Sequence, residues 1–138
     1  MDATTAKMSG GNVLATMLVV EDEVFSRRAL LKLLKSVGFD VTGVGSAEEA
    51  IQHLAGGSAT QPNWIVVDVD LPGMCGLDLV RMIRTFKPDI HPMLVTGADR
   101  LIVQEFCDEN EVDYFPKPLD IPRFLGYFRK ESPDQRPQ

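Results

Sequence analysis

Apolar and polar positions along this chain fall into blocks whose period switches between that of a buried strand and that of an amphipathic helix. A short apolar run, MLVV at 17–20, ends abruptly at Glu21-Asp22 and predicts a first strand. The stretch VFSRRALLKLLKSVGF (24–39) sets Phe25, Ala29, Leu30, Leu33, Leu34 and Val37 on one helical stripe, and Gly38 supplies a left-handed stop. DVTGV (40–44) reads as a second, weaker strand. SAEEAIQHLA (46–55) opens with Ser46 and Glu49 at capping-box spacing, which starts a second helix. GGSATQPN (56–63) has the composition of a loop. WIVVD (64–68) is apolar up to its last residue, as a central parallel strand should be. GLDLVRMIRTFK (76–87) predicts a third helix stopped by Pro88, and MLVTG (93–97) a fourth strand. DRLIVQEFCDEN (99–110) predicts a fourth helix capped by Asp99. VDYFPKP (112–118) holds a short fifth strand, and residues 121–130 place Ile121, Phe124, Leu125 and Phe128 on one face of a last helix.

Strands alternating with helices in this way predict an α/β domain with a parallel sheet covered on both faces. Right-handed crossovers leave few topologies. The doubly wound, flavodoxin-like order 2-1-3-4-5 suits five short units and sets the first and third strands side by side. The 138 residues, 44% of them hydrophobic, suffice for one such domain. A chain of this size buries about 65–70% of the surface exposed when unfolded. The expected division is a flexible leader at 1–14, the domain at 15–130, and a polar, proline-bearing tail at 131–138.

Charge narrows the function classes. A formal net charge of −6 argues against a broad electrostatic grip on nucleic acid or an anionic membrane. Arg27, Arg28, Lys32 and Lys35 share one helix, and a solvated helix face is the preferred reading of that cluster. Cys75 and Cys107 show no ligand spacing, no secretory signal precedes the domain, and no apolar run nears the ~20 residues of a membrane span. A reduced, cytoplasmic setting is expected.

Polar residues then stand where the strands end. Glu21 and Asp22 follow the first strand, Asp68 closes the third, Thr96 closes the fourth and Lys117-Pro118 follows the fifth. In the predicted topology all of them converge on one sheet edge, where open α/β sheets bind their ligands. Clustered carboxylates require a cation to stay ionised. Oxygen donors without histidine or cysteine favour Mg2+, with Mn2+ as an alternative. An aspartate beside such a cation can attack phosphorus, while a lysine and a hydroxyl neutralise the transferring oxygens.

The ordered set resembles the receiver domain of two-component response regulators. The resemblance rests on the acidic pair 21–22, the D-x-x-L-P-G-M-x-G stretch from Asp68 to Gly76, T-G-A at 96–98 and Y-x-x-K-P at 114–118. It spans about residues 15–130. It implies a signalling switch, not an enzyme with turnover: a sensor histidine kinase or histidine phosphotransfer protein would donate a phosphoryl group to Asp68. Glu21, Asp22, Asp68 and the backbone carbonyl of Asp70 would hold the metal. Lys117 would pair with Asp68, and the Lys117-Pro118 bond would be cis. Thr96 would bond the phosphoryl group and Tyr114 would turn inward behind it. Asp70 and Ala98 occupy positions that tune phosphoryl lifetime. Output would pass to a protein effector at the face of the fourth helix, fifth strand and fifth helix, as a monomer or a phosphorylation-dependent dimer, without direct contact to nucleic acid or membrane. The chain departs from the family pattern at Cys75, where an aspartate is common, and at Pro116.

Other readings compete. D-V-D at 68–70 resembles the nucleophile motif of haloacid-dehalogenase-type phosphatases, but the remaining acids precede it here instead of following the lysine. A topoisomerase-primase-like module shares the acids but not Thr96 and Lys117-Pro118. A docking-only receiver would not need the complete set of Glu21, Asp22, Asp68, Thr96 and Lys117. Thr96 and Tyr114 taken singly are ordinary strand-end and core residues, His53 and His91 read as surface residues, and the two cysteines read as packing.

Overall fold

The structure, a computed structural model, describes residues 15–56, 61–97 and 100–130. Strands β1 (Thr16–Val20), β2 (Asp40–Val44), β3 (Trp64–Asp68), β4 (His91–Thr96) and β5 (Asp113–Pro116) alternate with helices α1 (Val24–Ser36), α2 (Ala47–Leu54), α3 (Gly76–Phe86), α4 (Arg100–Asn110) and α5 (Ile121–Lys130). Neighbouring strands all pair in parallel, in the order β2-β1-β3-β4-β5. That is the predicted doubly wound sheet. The leader, the tail, Ala98 and the Asp99 cap lie outside the described residues.

The continuous apolar runs follow from burial on two sides. In β1 Leu18 and Val20 enter one core, while Met17 and Val19 enter the other. β3 divides the same way, with Ile65 and Val67 on one face and Trp64 and Val66 on the other. A strand with one wet face would alternate with polar residues; these cannot. The side holding Met17, Val19, Trp64 and Val66 also holds the edge-to-face stack of Trp64, Phe124, Tyr127 and Phe128 against α5. Glu21 and Asp68 are the next residues in those two alternating series.

Helix ends follow local chemistry. The amide of Phe39 donates to Leu34 O and that of Gly38 to Lys35 O, with Gly38 at φ 110°, which closes α1 as the glycine predicts. Ser46 Oγ accepts from the Glu49 amide at 3.0 Å. The Glu49 carboxylate reaches one residue further than a capping box would, to Gly45 N at 2.7 Å.

The structure differs from expectation in three places. β4 starts at His91, two residues early, because the His91 amide donates to Asn63 O and extends the ladder with β3. His91 is consequently half-buried, its ring 5.5 Å from that of Trp64, and is not a surface residue. The α1 stripe is only partly used: Leu34 is its buried residue and Phe25 is 76% exposed. Ala29, Leu30 and Leu33 instead line a cavity of about 360 Å³ that runs from α1 to Leu119 and Ile121 and reaches Glu21, Asp68 and Lys117.

Candidate functional site

Three chain segments build the site at the carboxyl edge of the sheet. β1 pairs with β2 one step past its end, through Glu21 N to Val44 O at 3.1 Å, so Glu21 is delivered rigidly. Asp68 is the last residue of β3 and lies level with Val95 of β4. The Lys117 amide donates to Thr96 O at 2.8 Å, which fixes the chain leaving β5 against the end of β4. The Lys117-Pro118 bond is cis.

The side chains meet accordingly. Lys117 Nζ donates to Glu21 Oε1 at 3.0 Å and to Asp68 Oδ2 at 2.9 Å. Asp68 Oδ1 accepts from the Asp70 amide at 3.0 Å, and Glu21 Oε2 from the Glu23 amide at 3.1 Å. Glu21 and Asp68 are buried, while Asp22 is exposed. One carboxylate oxygen from each of Glu21, Asp22 and Asp68 lies within 4.8 Å of the others. Burial pushes the Glu21 carboxyl above its ordinary range, and the neighbouring Asp68 adds to that against the pull of the Glu23 amide and Lys117. Burial opposes the Lys117 ammonium, yet its hydrogen bonds and charge contacts with Asp68 and Glu21 outweigh this and raise its pKa.

Three carboxylates therefore face one ammonium. A second cation fits that imbalance, and a purely oxygen donor set fits a hard divalent ion such as Mg2+.

The remaining expected residues are nearby but not in the cluster. Thr96 is buried at the end of β4, and Gly97 is exposed with open space where a side chain would stand. Asp70 is exposed and meets Asp68 through its amide. Tyr114 points to α4, its hydroxyl donating to Gln104 Oε1 at 3.1 Å. Cys75 caps α3 without a side-chain cap bond, and its thiol lies 3.7 Å from Asp78 Oδ2. Cys107 is a core residue whose thiol burial pushes up to about 11.

Sequence reasoning passed over two supports of the site. Glu23 caps α1 by accepting from the Phe25 and Ser26 amides and also donates its own amide to Glu21. Arg27, read as part of a solvated basic face, is half-buried and donates from Nη1 to the Glu21 carbonyl at 2.8 Å. An E-D-E triplet ahead of a helix hints at the first; nothing local marks the second.

Residues 17–129 match the family model of the response regulator receiver domain. The chain is 34% identical over 119 residues to an uncharacterized response regulatory protein of Vibrio vulnificus (strain CMCP6), covering 85% of this chain and 47% of that one. It is 31% identical over 122 residues to the C4-dicarboxylate transport transcriptional regulatory protein DctD of Rhizobium meliloti (strain 1021), covering 88% of this chain and 26% of that one. The chain thus spans half or less of these curated relatives. A solved response regulator receiver protein from Pseudomonas putida superposes with a TM-score of 0.76 at 30% identity, over 84% of this chain and 96% of that one.

Proposed function

The chain belongs to the response regulator receiver domain family of two-component signalling, and we propose that it works as a phosphorylation-driven switch whose acceptor is Asp68. The observation that carries this reading is the pairing of Lys117 with both Glu21 and Asp68, at 3.0 and 2.9 Å, beside the exposed Asp22. A phosphohistidine on a partner kinase or phosphotransfer protein is the donor.

In the transfer, a carboxylate oxygen of Asp68 forms a bond to phosphorus. The P–N bond of the phosphohistidine breaks, and its electron pair and a proton stay with the departing imidazole. Lys117, already held at Asp68, shifts its ammonium to the phosphoryl oxygens and offsets their charge. The Thr96 hydroxyl donates to one of those oxygens. Glu21, Asp22, Asp68 and the Asp70 carbonyl are the groups that would hold Mg2+, which supplies further neutralisation of the phosphoryl oxygens when bound. Gly97, directly after Thr96, adds no side chain to cover the site, and among the described residues the space where one would stand is open. Asp70, two residues beyond the acceptor, is placed to influence how long the phosphoryl group survives; Ala98, expected to share that role, lies outside the described residues.

Output follows from the far side of Thr96. Tyr114 gives up Gln104 and turns toward the space Thr96 vacates, which alters the α4–β5–α5 face. That face carries the exposed Leu101 and Ile102, 68% and 61% accessible, suited to an effector protein. Among the described residues no helix is long and apolar enough to cross a membrane.

Intact mass after incubation with acetyl phosphate tests the reading. One phosphoryl group should be gained only with Mg2+ present and not by Asp68→Asn. Uptake near the wild-type level in Asp68→Asn would remove the acceptor assignment. No uptake by a wild-type chain that binds Mg2+ would leave a docking-only receiver, and phosphate released over many turnovers would leave a phosphatase.

A further inference from the structure

The peptide bond between Glu21 and Asp22 links two of the three clustered carboxylates, so its orientation aims both. Its carbonyl is gripped from outside the cluster. Arg27, one turn into α1, folds back and donates from Nη1 to Glu21 O at 2.8 Å. The stem that allows this lies flat on β2. At Gly43 a Cβ would sit 3.1 Å from Arg27 Cγ and 3.2 Å from Cδ, and at Gly45 it would sit 3.2 Å from Nη1. The nearest atom to a Cβ at Gly43 would be Leu31 Cδ1 at 2.7 Å, with the arginine stem next, and at Gly45 it would be the guanidinium itself; a side chain at either glycine would therefore crowd the arginine, at Gly43 together with Leu31.

We propose that Arg27 is a positioning residue for the acidic turn, holding the Glu21–Asp22 peptide so that both carboxylates converge with Asp68; this rests on the phosphoryl-switch reading of the site. The other holds on Glu21 divide the work. Its amide is tied to Val44 O, Oε1 to Lys117 and Oε2 to the Glu23 amide. These fix Glu21 itself. The exposed Asp22 side chain depends on the backbone that carries it, and among the described residues the side chain that holds that peptide's carbonyl is Arg27. A planar guanidinium suits the task because it presents several donors in a fixed fork at the end of a long stem.

The arrangement gives an unusual test, because charge and geometry act in opposite directions. Arg27 is a cation near a site for a cation. If its charge were all that mattered, removing it would tighten Mg2+ binding. If it positions the acids, removing its donor while keeping an apolar stem should weaken binding, as loss of a group that orients a ligand does by about 10–100-fold.

The measurement is isothermal titration of the full chain with MgCl2 at a temperature where circular dichroism shows every variant folded. Arg27→Met should bind Mg2+ at least about tenfold more weakly than wild type. Arg27→Lys, which retains a donor at the end of a similar stem, should recover most of that loss. Arg28→Met, the removal of an exposed neighbouring cation, should not weaken binding. Unchanged or tighter binding by Arg27→Met would overturn the proposal, and so would a lowered melting temperature with an unchanged affinity, since that is what a merely structural arginine would give. A wild-type chain that binds no Mg2+ would instead overturn the reading of the site on which the proposal rests.

Discussion

Replacing Gly76 with alanine should destabilise the protein even though alanine is the better helix former. Gly76 opens α3 and lies against the backbone of the acceptor strand. A Cβ there would run into the carbonyl oxygen of Asp68 and stand 2.9 Å from Val69 Cα and 3.0 Å from the Asp68 carbonyl carbon. Ordinary carbon contacts begin near 3.5 Å, so backbone must move by roughly half an ångström or more. That backbone is pinned, since Val69 N donates to Val95 O at 3.0 Å and Gly76 N to Val69 O at 3.1 Å. Overpacking of this kind costs about 1–3 kcal/mol, while the gain in helix propensity is at most about 1 kcal/mol. Because the atoms struck are pinned backbone, the cost falls in the upper part of that range, about 2–3 kcal/mol, and the net loss is about 1–2 kcal/mol, or roughly 4–8 °C in melting temperature for a domain of this size. Gly126 is the control, because it lies within α5 and nothing stands within 4 Å of its Cβ position. Gly126→Ala should stabilise by about 0.5–1 kcal/mol. Thermal and urea unfolding of both variants decide the matter, and shifts of the same sign and size would refute the contact argument. Gly76→Ala should also slow phosphoryl uptake while folded, because the displaced atoms carry Asp68.

Two further substitutions test other terms. Glu111 follows α4 at φ 56°, and Val112 N donates back to Cys107 O, so it fills a left-handed capping position suited to glycine. Left-handed backbone costs a side-chain-bearing residue roughly 1–2 kcal/mol, offset in part by the entropy of glycine, so Glu111→Gly should raise stability by about 0.5–1 kcal/mol in urea unfolding; its 3.8 Å contact with Arg84 is exposed and weak, and a net loss of stability would contradict the strain. The raised Glu21 pKa means that the folded chain favours the neutral carboxyl. Its contribution to stability is therefore complete below the ordinary value of 4.5 and is lost as pH rises through the higher folded value. Without Mg2+, wild type should lose ground to Glu21→Gln across that window in urea titrations, and Mg2+ should restore the wild type; a pH-independent difference would refute the burial argument.

The parts of this molecule legible from sequence are those in which residue type and local spacing carry the physics. Apolar runs such as WIVVD marked strands buried on both faces, Gly38 and Ser46 marked helix ends, and the order of Glu21, Asp22, Asp68, Thr96 and Lys117 on the ends of four of the five strands placed them on one edge once the topology was assumed. Illegible were the contacts whose partner is a backbone atom remote in sequence. Arg27 had the look of a solvated cation because a carbonyl acceptor leaves no mark on the residue that supplies it. Gly43 read as a weak-strand residue, and Gly45 went unremarked, because what they accommodate comes from α1. Glu111 gave no sign of its left-handed backbone because the glycine that normally marks such a position is absent. The apolar stripe of α1 predicted burial but not its extent, since stripe width says only that a face prefers to leave water. How much of it is covered depends on elements remote in sequence, such as α5, whose Phe124 and Phe128 belong to the same core cluster as Leu34. The cavity left between α1 and Leu119 ends at Asp68 and Lys117. The face least determined by local sequence is thus the one that opens directly onto the acceptor.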